Sequence, residues 1–344
     1  MARYALLLKA NANRVFGASA FALAVAELGA FSAALEGALE PATRHTIGGV
    51  DYLVADAALR LDGTQLAVVS NLSSLHALFE VDEDGRFRPV TIDPHRVLDD
   101  DLVTIQRYAG KTNEAFTHLL VNLALSANPG ALARVLAGER VRLLDPACGR
   151  GTSLNRAALY GMDACGIDVD GRDVDAYRTF LTTWLRDKRL KHRVEQARLR
   201  KGRAETAHRM TITYGPGRDL DAHRVIDVVH DDTARARDHF AARSMDLLVC
   251  DLPYGVQHGA RPDGRALERS PERLLEAALP AWFDLLRPGA GAALAWNRKV
   301  MDRDRVRSLA AATGFAILDG DDDRFLHTVD RAITRDVLVV ARPA

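Results

Sequence analysis

Five near-continuous apolar runs of strand length mark the C-terminal two thirds of the chain, at residues 141–144, 163–167, 225–229, 245–250 and 290–296. Segments with helical spacing follow most of them, starting near Thr152 and Val174 and covering 271–286 (despite Pro280) and 303–313. Ahead of the first run, Leu119, Leu120, Leu123 and Ala124 share one helix face, and Thr112 or Asn113 would cap that helix. Residues 315–318 and 336–340 read as a final pair of strands, with a hairpin turn at 321–323. The N-terminal third is patterned differently. It offers a strand at 4–8, a surface helix at 19–28, strand and helix candidates including 52–55 and 66–70, and a turn at Glu83-Asp84-Gly85. An acid-rich linker at 95–101 closes it. The expected organisation is a small N-terminal α+β domain over 1–100 and a Rossmann-like α/β domain over 101–344.

The turns after the apolar runs carry the chemistry. The first run ends in Asp145-Pro146-Ala147-Cys148-Gly149-Arg150-Gly151-Thr152. A carboxylate followed by two glycines and a helix start leaves a backbone-lined hollow at a strand's carboxyl end, where such sheets bind nucleotide-like ligands. Gly149 and Gly151 let main chain approach a ligand closely and take positive φ. The spacing is neither the dinucleotide Gly-x-Gly-x-x-Gly nor a phosphate-binding Gly-Lys-Ser/Thr loop. Asp168 ends the second run, 23 residues after Asp145, where a ribose-binding acid stands in related folds (about 20 residues in the dinucleotide version). Asp170 reads as a helix N-terminal charge. The third run leads into His230-Asp231-Asp232-Thr233, and the fourth into Asp251-Leu252-Pro253-Tyr254-Gly255.

Asp-Pro-x-Cys-Gly-x-Gly-Thr resembles motif I of the class I S-adenosylmethionine-dependent methyltransferases. Asp251-Leu252-Pro253-Tyr254 resembles the Asp/Asn-Pro-Pro-Tyr motif IV of those that act on planar amino nitrogens. Together with Tyr108-Ala109-Gly110-Lys111-Thr112-Asn113 before motif I, the pattern resembles the tRNA guanosine N2-methyltransferases of archaea and eukaryotes, over roughly residues 105–344. The resemblance implies a class I sheet with a terminal antiparallel strand, and S-adenosylmethionine as cofactor. It implies cofactor contacts from Asp145, Cys148, Gly149, Gly151, Thr152, Asp168 and Asp232 (the last, in preference to Asp231, for the adenine amino group). It brings Lys111, Thr112 and Asn113 to the border of the pocket, unless Thr112 or Asn113 serves only as a cap.

The implied chemistry is methyl transfer to an exocyclic amino group, whose lone pair is delocalised until acceptors bind its protons. Asp251 supplies one acceptor, and the Leu252 carbonyl, kept although leucine replaces the first proline, supplies another. Pro253 holds Leu252 extended, and Tyr254 stacks on the base. Gln257 and His258 could line the same pocket. The family's N-terminal modules are together longer than about 100 residues, so its usual mode of tRNA capture is in doubt for this chain.

Charge adds one feature. The chain has 46 basic and 46 acidic residues, so its global balance does not advertise a polyanion partner. Residues 186–209 nevertheless hold ten Lys/Arg against three Asp/Glu. They form a basic insertion (about 186–218) that continues the helix begun near Val174, with a strand at 210–214 and a Gly215-Pro216-Gly217 turn. Arg189, Lys191 and Arg193 are its candidates for RNA phosphates. A solvated helix face is the alternative, since 40 of the 46 basic residues are arginine.

Cys148, Cys165 and Cys250 lie in or beside core strands, which points to a reducing cytoplasm and no structural metal. No uncharged apolar run reaches about 18 residues, so no membrane span is expected. Lys9, Asn11, Asn13 and Arg14 break up any signal-peptide core. A DNA adenine or cytosine amino-methyltransferase, a protein-glutamine or small-molecule N-methyltransferase, and a non-catalytic RNA-binding protein remain alternatives. The first lacks an evident target-recognition segment, and the intact motifs I and IV argue against the last.

Overall fold

The computed structural model describes residues 2–10, 14–37, 39, 42–201, 204–215, 223–253, 270–318, 320 and 323–344. The chain opens with β1 (Ala2–Leu8), α1 (Arg14–Ala30), β2 (Thr43–Ile47), β3 (Val50–Ala57), α2 (Gly63–Ser70), β4 (Leu75–Val81) and β5 (Phe87–Val90). The strands form an antiparallel sheet in the order β2-β3-β1-β4-β5. Residues 66–70 belong to α2, which starts with a reciprocal cap between Asp62 and Gln65. The turn at Glu83-Asp84-Gly85 joins β4 to β5.

Then follow α3 (Asp101–Thr104), α4 (Glu114–Ser126), α5 (Pro129–Leu136), β6 (Arg142–Asp145), α6 (Thr152–Leu159), β7 (Asp163–Asp168) and α7 (Gly171–Asp187). Next come β8 (Lys191–Lys201), β9 (Ala204–Gly215), β10 (Arg224–His230), α8 (Ala236–His239), β11 (Met245–Asp251) and α9 (Pro271–Leu285). The chain ends with β12 (Leu286–Asn297), α10 (Arg303–Thr313), β13 (Ala316–Ile317), β14 (His327–Thr328) and β15 (Thr334–Ala341). The second sheet runs β13-β15-β12-β11-β6-β7-β10-β9-β8, with β14 on β15. Its five central strands, β12 to β10, are parallel, and β15 adds antiparallel to β12. These central strands are the five apolar runs; Leu143, Ile167, Val228, Val249 and Ala293 are fully buried, as burial on both faces requires. The fold is thus α/β and Rossmann-like, with the terminal antiparallel strand expected.

The basic insertion departs from expectation. The α7 helix stops at Asp187, Arg189 takes φ +56°, and the chain turns into a long antiparallel hairpin, β8–β9, that extends the sheet beyond β10. Alternation explains the difference. Val194, Ile212 and Tyr214 point to the core side while charged residues (Arg193, Glu195) or threonines (Thr211, Thr213) alternate with them, a period of two that a reading for helix overlooks.

The two sheets share a core. One apolar cluster runs from Leu6, Leu53 and Leu78 of the first sheet, through Phe116, Leu119 and Leu123 of α4, to Val337 of β15. Polar groups lock the same junction. Glu27, fully buried in α1, accepts from the Ser73 amide (3.0 Å) and hydroxyl (2.6 Å) and from Asn122 of α4 (2.6 Å). Tyr160 donates to the Asn122 side-chain Oδ1 at 2.9 Å. The α4 helix in turn lies directly on β12: a Cβ at Gly291 would stand 2.2 Å from the Ala124 carbonyl oxygen. That close approach sets the loop before α4 over the carboxyl ends of β6 and β11.

Candidate active site

A cavity of about 280 Å³ opens at those strand ends, near the lower limit for small-molecule sites. Tyr108, Ala109, Gly110 and Thr112 of the loop before α4, the β6–α6 turn, Asp173 and Asp251 line it. Asp145 ends β6 and accepts from the Ser153 hydroxyl and from the Ala147 amide at 3.0 Å. Gly149 and Gly151 both take positive φ, +50° and +76°. The two differ in what surrounds them. A Cβ at Gly149 would meet open space, so that backbone is accessible from the cavity. A Cβ at Gly151 would stand 2.4 Å from the buried Tyr177 ring, so that glycine serves packing beneath the turn.

Asp168 holds the turn in place. Its carboxylate accepts from the Gly149 amide at 2.7 Å and the Asp170 amide at 2.8 Å. It stands beside the cavity lining. Cys148 is a buried thiol whose pKa burial pushes well up, which leaves it neutral. Thr152 shares a 3.0 Å hydrogen bond with the Tyr108 hydroxyl, and the Arg150 guanidinium lies 4.8 Å from the Tyr108 ring centre. At the end of β10, Asp231 is committed to His239 (2.6 Å) and Arg235 (3.2 Å). Asp232 caps the short turn that follows by accepting from the Ala234 amide at 3.0 Å.

The loop before α4 divides its three candidates. Asn113 is the helix cap, accepting from the Ala115 amide at 2.9 Å. The Lys111 ammonium turns away to the Val103 carbonyl (2.9 Å) and Glu114 (2.5 Å). Neither lines the cavity, because capping and ion pairing use their polar atoms; this corrects the expectation for both. Thr112 does line it, and donates its hydroxyl to Asp251 Oδ2 at 2.9 Å.

Asp251 ends β11, and a second group reaches the same oxygen. Arg335 of β15 donates to Oδ2 at 3.3 Å, with its guanidinium 4.0 Å from the Phe116 ring centre. The Arg335 side chain is almost wholly buried, and the His327 ring packs on Phe116 with centres 5.2 Å apart. Leu252 is buried in the second apolar cluster, and its amide donates to the Ala295 carbonyl at 2.9 Å. That packing accounts for leucine at this position. Pro253 follows, exposed; Tyr254, Gln257 and His258 lie outside the described residues, as do Asp321 and Asp322 of the expected hairpin turn.

Three carboxylates therefore crowd the strand ends. Burial raises the Asp145 pKa to about 7, with the Asp168 and Asp251 charges adding to it. Burial also raises Asp168 and Asp251, while Arg335 and Thr112 pull Asp251 back toward ionisation. Such a set favours a cationic ligand carrying hydroxyl donors. Among the described residues, no group of three or more His, Cys, Asp or Glu could hold a metal ion.

Arg335, Ser153 and Asp173 escape a sequence reading; 84 residues separate Arg335 from Asp251, and no motif marks it. Of the basic candidates, Arg189, Lys191 and Arg193 are exposed. Arg193 pairs with Glu195 at 2.7 Å. Other insertion residues hold the fold: Lys188 pairs with Asp99 and Asp101, and Arg209 with Asp227.

No protein-family model and no curated protein sequence matches the chain. Solved structures similar to it include a TehB-like S-adenosylmethionine-dependent methyltransferase from Corynebacterium glutamicum, at 16% identity and TM-score 0.35, covering 67% of this chain and 100% of that one. Another is magnesium protoporphyrin IX methyltransferase from Synechocystis with bound S-adenosylmethionine, at 14% identity and TM-score 0.38, covering 68% and 86%. A third is an rRNA methylase from Streptococcus thermophilus, at 10% identity and TM-score 0.33, covering 60% and 88%. Likeness at this level concerns architecture only.

Proposed function

We propose that the chain is an S-adenosylmethionine-dependent methyltransferase acting on an exocyclic amino group, guanine N2 of tRNA or another structured RNA. One observation carries the reading: the Gly149 backbone and the Asp251 carboxylate, from the two motifs, border one cavity. The residues fit the cofactor. Gly149 presents bare backbone, Asp168 has acceptor directions for ribose hydroxyls, and the raised pKa values of Asp145 and Asp168 register a negative site that a sulfonium and an ammonium would relieve. When bound, the cofactor supplies a methyl group on a positively charged sulfur, activated by its leaving group.

The protein's own part is orientation. Thr112 and Arg335 fix Asp251 through one oxygen. A carboxylate accepts in about four directions, so a target amino proton can be accepted beside them. That interaction aims the nitrogen lone pair at the methyl carbon and lets the proton leave after transfer. The Leu252 carbonyl is the second acceptor of this reading, and Tyr254 its stacking surface. The exposed face of the β8–β9 hairpin and the turn before it, with Arg189, Lys191 and Arg193, is the proposed contact with RNA phosphates.

Calorimetric titration with S-adenosylmethionine tests the cofactor assignment. Wild type should bind, and Asp168→Ala should weaken binding by about 1–3 kcal/mol, the cost of stranding hydrogen-bond donors. Absence of binding by wild type would remove the reading altogether.

A further inference from the structure

A second cavity, of about 490 Å³, lies between the two sheets on the other side of the loop that carries Thr112. Lys9 follows β1, Arg96 belongs to the connection between the sheets, and Arg156 projects from α6; all three line it. Arg156 is 7% exposed, and its Nε is wholly buried with no hydrogen-bond partner among the described residues. A buried cation with an unsatisfied donor is destabilising unless an anion joins it.

The acids at hand are each held by another partner. Asp100 is paired with Arg96, Glu114 is held by Lys111 at 2.5 Å, and Glu27 accepts from Ser73 and Asn122. His118, also in the lining, is driven well below its usual pKa by burial and by Arg156, so it is neutral and adds no charge. Burial and the neighbouring Arg96 and Arg156 lower the Lys9 pKa. Among the described residues, Asp100 and Glu114 act on Arg156, and Asp100 and Glu27 on Lys9, only at a distance, so these two cations face a partly enclosed space without a directly paired acid.

We propose that this cavity binds a phosphate-class oxyanion, with Arg156 as its buried anchor and Lys9 as its outer contact. Guanidinium and ammonium donors converging on a semi-buried space are the chemistry that recognises such a group. The occupant is either a phosphodiester of a bound polynucleotide or free inorganic phosphate, and the inference stands whether or not methyl transfer is the activity.

Thermal unfolding of the full chain in inorganic phosphate, against chloride at equal ionic strength, tests the proposal. Wild type should gain melting temperature saturably with phosphate, as binding to the folded state requires. Lys9→Gln and Arg156→Met should each raise the half-saturating phosphate about tenfold, the scale of one charged hydrogen bond. In chloride, Arg156→Met should melt no lower than wild type, because it removes an uncompensated buried charge. Lys9→Gln tests the site independently if Arg156→Met does not fold. Competition between phosphate and a structured RNA at constant ionic strength would identify the occupant as a phosphodiester; a phosphate response without competition would identify free anion. No saturable response in wild type overturns the proposal. So does a half-saturation point unchanged in Lys9→Gln, or an Arg156→Met protein that is weakened in chloride and responds to phosphate as before.

Discussion

Arg335 and Asp251 meet at 3.3 Å, the guanidinium held against the Phe116 ring on one side and directed at the carboxylate on the other. The last strand of the sheet thus governs the charge of the group at the end of β11. Burial pushes the Asp251 pKa up, and Arg335 is the largest influence in the other direction.

That relationship has a pH signature. If Asp251 must be ionised to accept the target amino proton, the rate falls as pH drops through its pKa. Arg335→Met removes the cation, raises that pKa further, and should move the acidic limb of the rate profile to higher pH. At neutral pH the loss should be about tenfold or more, with S-adenosylmethionine affinity nearly unchanged. A pH–rate profile for the two proteins checks this, and superimposable acidic limbs would count against it.

Asp145 carries a stability signature. Its folded pKa is about 7, against about 4 for an unfolded aspartate. Between those values the folded state keeps a proton that the unfolded state has lost, so this contribution falls as pH rises and is fully unfavourable above about pH 7. Urea melts at about pH 5 and about pH 8 should therefore show wild type losing more stability than Asp145→Asn on going to the higher pH. Parallel losses would mean that Asp145 titrates normally. S-adenosylmethionine affinity should rise over the same window, because its cations favour the ionised carboxylate.

The basic hairpin gives a salt dependence. RNA affinity should fall steeply with salt, and Arg189→Glu with Arg193→Glu should flatten the slope of log affinity against log salt by about two, one for each arginine that no longer meets a phosphate. Cofactor affinity should stay the same. An unaltered slope would make β8 a solvated sheet edge whose charges only discourage pairing with other strands.

Much of this architecture can be read from local pattern. The five apolar runs are the five parallel strands, because burial on both faces leaves mostly apolar residues between turn signals, and Arg303–Thr313 is the α10 helix. Asp145 and Asp251 stand at strand ends for the same reason, with Gly149 in the turn after β6. The hairpin is less accessible, since its charges are dense enough to hide a period of two. Lys111 and Asn113 show another limit: loop residues beside a site share its motif while their polar atoms are used by Glu114 and the first turn of α4. Arg335 lies beyond reach because its approach to Asp251 depends on how β15 inserts next to β12, which no residue near Asp251 encodes.

The most direct measurement is single-turnover transfer of labelled methyl groups from S-adenosylmethionine to a methyl-accepting structured RNA, followed by nucleoside mass spectrometry. Wild type should produce N2-methylguanosine, Asp251→Ala should be slower by about 10²-fold or more with cofactor still bound, and Asp251→Asn should retain more activity than alanine. Transfer by Asp251→Ala at the wild-type rate would contradict the role given to this carboxylate and leave the end of β11 as an ordinary strand-end turn.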